Sequence, residues 1–405
     1  MIMFSLAWKN IWRNKRRSII IIFATTIGLS CGLFSVGLMT GMYDSLIDYA
    51  INREYAHIQI HTKDFKRDEL FNQSINDINN IIKKISSISN IQNYSFHTII
   101  EGLASSSTNS LGVKIIGINP LQERNVTGIS KSIVEGNYLD KKNTVIIGKK
   151  LAEKLKLKIN SKIVLSFTGA DGNIIYAAFR ISGLFNTEAT NFDISNVFVN
   201  NDDISNLLNT TSPIHEILIK INNTDEIDKT KNEIQKILPD NLLVESWKEL
   251  APDLKITAES TDLINTIFLG LILFALLFGL VNTLLMSVLD RIKDFGVLLA
   301  IGLSRSRLFL MIILESVSLS FIGGFFGIII GYIVTQYFNS RGINLHSFSE
   351  GLSSYGIPSV LYPNIRIATY FILTIMIIFT SIIAALYPAL KAIRLKPVDA
   401  IRTIA

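Results

Sequence analysis

Three groups of residues in this chain have types and spacings that could do chemistry. His57 and His61 stand four apart, the interval that would align two imidazoles on a helical face for a metal. Their surroundings, "YAHIQIH" at 55–61, alternate like a strand instead. There the rings share a face about 13 Å apart, too far to grip one ion, so packed or solvated histidines and no metal are expected. Glu315 is a lone carboxyl in the apolar run 311–338. A charge in such a run is a functional hypothesis by default. No second acid or histidine accompanies it to relay a proton, so an ion pair with Arg291, Arg305 or Arg307 is the reading. The third group lies in "NTLLMSVLDRIKDFGVLLAIGLSRSRLFLMIILES" (282–316), where Asp290, Arg291, Lys293 and Asp294 interrupt apolar sequence. With Val297, Leu298 and Ile301 behind those charges, the segment suits a short helix lying parallel to a membrane. One face would meet lipid or helix ends, and the other a partner. The sequence contains no G-x-x-x-x-G-K-[ST] or H-E-x-x-H. This chain therefore has no phosphate loop of its own, and any work it does must come from elsewhere.

The elements that position these residues follow from hydropathy. The chain has 405 residues, 49% apolar and 18% charged, and a mean hydropathy of +0.38. The runs 19–42, 263–289 and 367–390 hold no charge, and 311–338 holds only Glu315. At about 1.5 Å per residue each run crosses a hydrocarbon core of about 30 Å. The reading is an amphipathic interfacial helix at 1–18, a first span at 19–43 and an outer domain at 44–262. A second span follows at 263–289, a link helix at 290–307, a third span at 308–338, an outer loop at 339–366, a fourth span at 367–390 and a tail at 391–405. The segment "MFSLAWKNIWRNKRR" puts Phe4, Trp8, Ile11 and Trp12 on one face, apart from its cations. The first apolar run is too long for a signal core and lacks a small-x-small cleavage site, so it reads as an uncleaved anchor. Thirteen Lys and Arg in the start, the link and the tail oppose two in the outer loop, which places both termini in the cytoplasm. The pI near 9.1 thus reports topology and not nucleic-acid binding. Glycines four apart, at 28 and 32, 37 and 41, and 323, 327 and 331, permit close helix approach. Cys31 is the single cysteine, so the outer domain stands without disulfides.

The outer segment alternates between strand and helix periods. Strand-like 55–61, helical 74–86 and strand-like 91–100 recur as 214–221, 225–238 and 241–247. Between them "GVKIIGI", "TVIIG", "KIVLSF", "IIYAAFRISGLF" and "NVFV" read as strands, with one helix, "KKLAEKLKL", and a hairpin turn at "ADGN". The fold class is therefore membrane α-helical with a large α/β domain. A βαβ-repeat subdomain (52–105 plus 212–250) is split by a β-rich insertion (106–211).

The link "NTLLMSVLDRIKDFGVLLAIG" resembles the coupling segment of FtsX-like ABC permeases of the MacB and LolC/LolE superfamily, whose pattern is N-T-x-x-M-S-V-x-E-R-x-x-E-I-G-x-x-x-A-I-G. Asn282, Met286, Val288, Arg291, Gly296, Ala300 and Gly302 match, while Asp290, Asp294 and Phe295 replace two glutamates and an isoleucine. "LAWKNIWRNKRRS" and "YPALKAIRLKPVDAIR" are similar to the family's two ends, and "GVKIIGINPLQE" and "SWKELAPDL" to its lipoprotein-releasing branch. Asn160-Ser161 stands where relatives often have Gly-Asp at a turn. The resemblance implies a permease of the bacterial inner membrane with a large periplasmic domain, working by mechanotransmission. Two protomers, as a homo- or heterodimer, would be driven by a cytoplasmic LolD-like ABC ATPase dimer that holds ATP and Mg2+. The cargo would be lipoprotein, with a periplasmic chaperone or adaptor as a further partner. It implies ATPase contacts at Asp290, Arg291, Lys293, Asp294, Phe295, Gly296 and Gly302. An acyl cavity would be lined by Leu29, Phe34 and Leu38 of the first span and Phe268, Phe274, Leu277 and Phe278 of the second. Two other roles occur in the superfamily: MacB-like efflux of peptide, toxin or drug, and FtsX-like regulation of cell-wall hydrolases.

Overall fold

The computed structural model describes residues 11–13, 15–68, 71–169, 171–209 and 213–394. Most of the interfacial helix expected at 1–18 and the end of the tail lie outside the described residues. The chain forms two compact units. One comprises residues up to 43, 259–344 and those from 360 onward; the other comprises 44–258 and 345–359.

Among the described residues, four helices are long and apolar enough to cross a membrane. The first span's helix is Lys15–Ala50, the second's Pro252–Asp290, the third's Arg305–Arg341 and the fourth's Ile367–Ile393. All overrun their apolar cores, because the helical hydrogen-bond ladder continues wherever no breaker intervenes. Small residues set the packing. A methyl group at 327 on the third span would lie 2.9 Å from Leu29 Cβ, and one at 323 would lie 2.8 Å from Thr25 Cβ. With no side chain there, Thr26 Oγ1 donates to the Gly323 carbonyl (3.1 Å) and Ser30 Oγ to that of Gly327 (3.2 Å). Gly28 and Gly32 receive Leu276 and Ile272 of the second span. Asn265 Nδ2, buried, donates to Thr40 Oγ1 (2.8 Å) and ties those two helices together. Leu29, Leu33, Leu269, Leu273, Leu373 and Ile377 form the apolar centre of the bundle.

The second unit is built on one ten-stranded sheet. β1 (Ile58–Thr62) leads through the helix Ile78–Ile85 to β2 (Ile91–Ser105). β3 (Ser110–Ile118), β4 (Ile133–Gly136), β5 (Thr144–Gly148), β6 (Lys162–Thr168), β7 (Ile174–Phe185) and β8 (Asn196–Asn200) follow. β9 (Glu216–Ile221) then leads through the helix Ile227–Ile237 to β10 (Leu242–Ser246). The order β10-β1-β9-β2 interleaves the two βαβ units, since β1 and β2 are both antiparallel to β9 and hence parallel to each other. Ile58, Ile60, Ile217 and Ile219 of this part meet Ile81, Ile85 and Ile234 of its helices. Beyond that part, the strands β2-β3-β8-β5-β7-β6 pair in a ring, which closes because β6 returns to β2, while β4 pairs with β7 outside it. That ring is a six-stranded barrel filled by Ile115, Val145, Ile147, Leu165, Phe179 and Val197, among others.

The β-rich segment stands in chain between the two βαβ units, and β2, which spans 15 residues, pairs β9 at its start and β3 and β6 at its end, so it joins both halves. One expectation is corrected here. That segment holds more than one helix. Pro120–Glu123 and Thr190–Ser195 are too short to show a period in the sequence, and Asn201–Leu208 was not read either, although Asn119 and Asn200 cap two of the three through their side chains. The loop after the third span is structured: residues 345–359 belong to the α/β unit and carry the helix Ser349–Ser354. Thr190 Oγ1 donates to Ser353 Oγ (3.0 Å) and Ser359 Oγ to Glu188 Oε1 (3.0 Å). Asn160 takes a left-handed φ of 66° at its turn, as glycine would.

Candidate coupling site

The charged link forms a nine-residue helix, Ile292–Ala300. The second span's helix runs to Asp290 and breaks at Arg291, whose φ of −111° and ψ of 15° leave the helical region. At the far end the Leu303 N–H reaches back to the Leu298 carbonyl (3.0 Å) and the Gly302 N–H to that of Leu299 (3.2 Å). That reciprocal pair, with Gly302 at φ +99°, is a Schellman stop. Leu303 packs with Leu298 in the same cluster, completing it.

The helix has two faces. Phe295, 1% exposed, clusters with Val288, Leu308, Met311, Ala389 and Ala392 at the end of the bundle. Lys293, Asp294 and Ala300 are exposed, and so are Val297 (51%) and Ile301 (75%), which stand four apart on that same outer face. Arg13 pairs with Asp294, both exposed. The seven residues expected to meet an ATPase therefore divide. Asp290, Lys293, Asp294 and Gly302 lie on accessible surface. Arg291, Phe295 and Gly296 are buried in the chain, so the Arg291 and Phe295 side chains cannot reach a partner without rearrangement. Gly302 has no atom of this chain within 4 Å of where a Cβ would sit, and its φ of +99° lies in the region that favours glycine. Glu315 meets one of its three expected cations. Arg291 Nη1 donates to both carboxylate oxygens, at 3.0 and 2.9 Å, in a buried pair. The guanidinium also lies over the Phe295 ring, 5.1 Å from its centroid.

Two family models match the chain, an FtsX-like permease C-terminal model over residues 266–397 and a MacB-like periplasmic core domain over 18–237, more than half its length. The chain is an FtsX-like ABC transporter permease of the MacB/LolC family. The permease is 28% identical over 409 residues to the lipoprotein-releasing system transmembrane protein LolC of Buchnera aphidicola subsp. Schizaphis graminum, covering 96% of this chain and 95% of that one. It is 23% identical to LolC of Xylella fastidiosa (strain Temecula1) over 71% of this chain and 72% of the other. The periplasmic region of MacB from Actinobacillus actinomycetemcomitans aligns with 52% of this chain and 97% of that structure, at a TM-score of 0.36 and 13% identity. An ABC permease subunit is not itself catalytic.

The residues expected to line an acyl cavity also divide. Leu29 is buried in the bundle centre under Gly327, and there it packs instead of lining a space. Phe34 is half-buried against Phe338, with ring centroids 5.5 Å apart, and Leu38, Phe268 and Leu277 are half-buried too. Phe274 (59% exposed) and Phe278 (61%) stand edge to face, 5.1 Å apart, on the outer surface of the second span.

The permease's α/β unit holds buried polar networks whose partners the sequence did not single out. His97 Nε2 lies 2.9 Å from Glu123 Oε2, and that carboxylate accepts from the hydroxyls of Ser95 and Thr127 at 2.6 Å each. Burial opposes the charge on His97, but Glu123's attraction and hydrogen bond together raise its pKa above the ordinary value. His61 is raised in the same way against its own burial, by Glu245 at 2.8 Å. Both imidazoles flank Glu216 in the β1-β9-β2 register and border a cavity of about 270 Å³ with Arg53 and Lys114. His57 and His61 do not share a site, and among the described residues no His, Cys, Asp and Glu group is placed to hold a metal.

Proposed function

We propose that the permease is the transmembrane subunit of a lipoprotein-releasing transporter of the bacterial inner membrane, with both termini cytoplasmic. A separate LolD-like ATPase dimer, which holds ATP and Mg2+, docks on the outer face of the link helix. A second permease protomer completes the bundle. ATP-driven closure pushes the link helix, and the motion reaches the periplasmic domain and expels an acylated lipoprotein to a periplasmic acceptor. The observation that carries this reading is the similarity to LolC over 96% of the chain, together with a link helix that leaves Val297 and Ile301 bare. Apolar side chains on an exposed helix face flanked by charge suit insertion into a partner's groove. Removing an acyl chain from lipid costs about 0.8 kcal/mol per methylene, so a multiply acylated anchor needs driven release. Phe274 and Phe278 offer adaptable aromatic surface where such a chain would enter from the membrane. Photocrosslinkers at 274 and 278, in cells carrying labelled lipoproteins, should capture acylated lipoprotein. Capture of soluble peptides alone, or of nothing, with an efflux phenotype that tracks the gene, would replace this reading with MacB-like efflux.

A further inference from the structure

Both ends of the link helix are weak joints in the backbone. Arg291 leaves helical geometry between the second span and the link helix, and Gly302 turns the chain with nothing packed over it. A helix joined only through those points would swivel when pushed. It is held across the chain instead, because Arg291 grips Glu315, which lies ten residues into the third span's helix, roughly 15 Å from that helix's start. The grip uses both carboxylate oxygens and is shielded from water, with side-chain exposures of 8% and 12%, and Phe295 stacks under the guanidinium. Buried ion pairs are poor stabilisers, since desolvation offsets most of their attraction and an apolar pair of like volume often serves as well. Stability alone therefore does not account for a pair at this place. A directional tether does, because a bidentate pair fixes orientation where greasy contacts slide.

We propose that Arg291 and Glu315 are positioning residues that lock the link helix to the third span, so that a push on the helix turns that span with it. This rests on the reading that an ATPase drives the link helix. The test reconstitutes the full-length chain with a LolD-like ATPase and reads two quantities: thermal midpoint, and the rise in ATP hydrolysis over the ATPase alone. Arg291→Leu and Glu315→Leu singly should lower both, since each strands a buried charge. The double variant Arg291→Leu/Glu315→Leu should regain the wild-type midpoint yet keep no more than about a tenth of the permease-dependent rise. The exchanged pair Arg291→Glu/Glu315→Arg should recover much of it. A double-leucine variant with wild-type midpoint and wild-type hydrolysis overturns the proposal. If that variant does not fold, Glu315→Gln, which keeps the shape but not the charge, is read for the same rise, and an unchanged value overturns it equally. A wild-type chain that leaves the ATPase's rate unaltered would instead refute the driven-helix reading itself.

Discussion

Gly302 separates two accounts of why the link helix needs glycine at its end. One is steric: a partner surface approaches too closely for a side chain. The other is conformational, because φ of +99° belongs to a region that L residues avoid. In this chain nothing lies within 4 Å of the position a Cβ would take, so Gly302→Ala meets no clash and its cost is backbone strain alone. Left-handed geometry costs about 1–2 kcal/mol for an ordinary residue. That energy is relieved when the Schellman turn opens, releasing the amides of residues 302 and 303 from the carbonyls of Leu299 and Leu298. A cost of this size should raise the open population about 5–30-fold. Hydrogen exchange at those two amides, measured on the purified permease, should speed by that factor while amides in the middle of the third span stay unchanged. Asparagine tolerates the left-handed region better than alanine, so Gly302→Asn should accelerate exchange less than Gly302→Ala. Binding to a partner ATPase should follow the same order. If Asn, the larger residue, impairs ATPase binding more than Ala, and exchange does not change in either variant, crowding governs and the conformational argument is wrong.

Two other outcomes follow from the geometry. Val297→Asp/Ile301→Asp should abolish co-purification with a LolD-like ATPase while shifting the thermal midpoint by no more than a degree or two, because both side chains are exposed; retained binding would place the docking surface elsewhere. Acid should destabilise the permease through His57, whose pKa is pushed down to about 4 by burial and then by Lys220, and whose Nδ1 accepts the Ile221 N–H. Its folded value lies below the unfolded 6.5, so its contribution is whole above pH 6.5 and is lost as pH falls through the folded value. His61 and His97, raised by their carboxylates, act oppositely: their contribution is whole below 6.5 and fades as pH rises through their folded values. The thermal midpoint should therefore be highest near neutrality, and His57→Gln should flatten only the acid limb. An acid limb as steep in that variant as in wild type would remove His57 from the account.

The sequence alone determined the four spans, the charged link between the second and third, and most of the strands, with the longer helices, of the α/β unit. Each of these is a local property: a run of apolar residues, an interruption of it, or a period of two against 3.6. The strand β7 and the helix at 149–155 lie where their periodicity placed them, and Glu315 was readable as half of an ion pair because a charge in an apolar run must find an opposite one. Which cation it would take, Arg291, Arg305 or Arg307, was beyond the sequence, since all three lie near it and only the break at Arg291 swings one inward. Likewise the link helix showed its charges and apolar residues, but not that Phe295 faces the bundle while Val297 and Ile301 stay bare, because its apolar residues lie all round it and only packing selects the buried side. The barrel needed tertiary structure most of all. Its closure rests on β6 returning to β2, a pairing about sixty residues apart in sequence that leaves no mark on either strand's own pattern, because both faces of such a strand read the same whether its edge is open or shared.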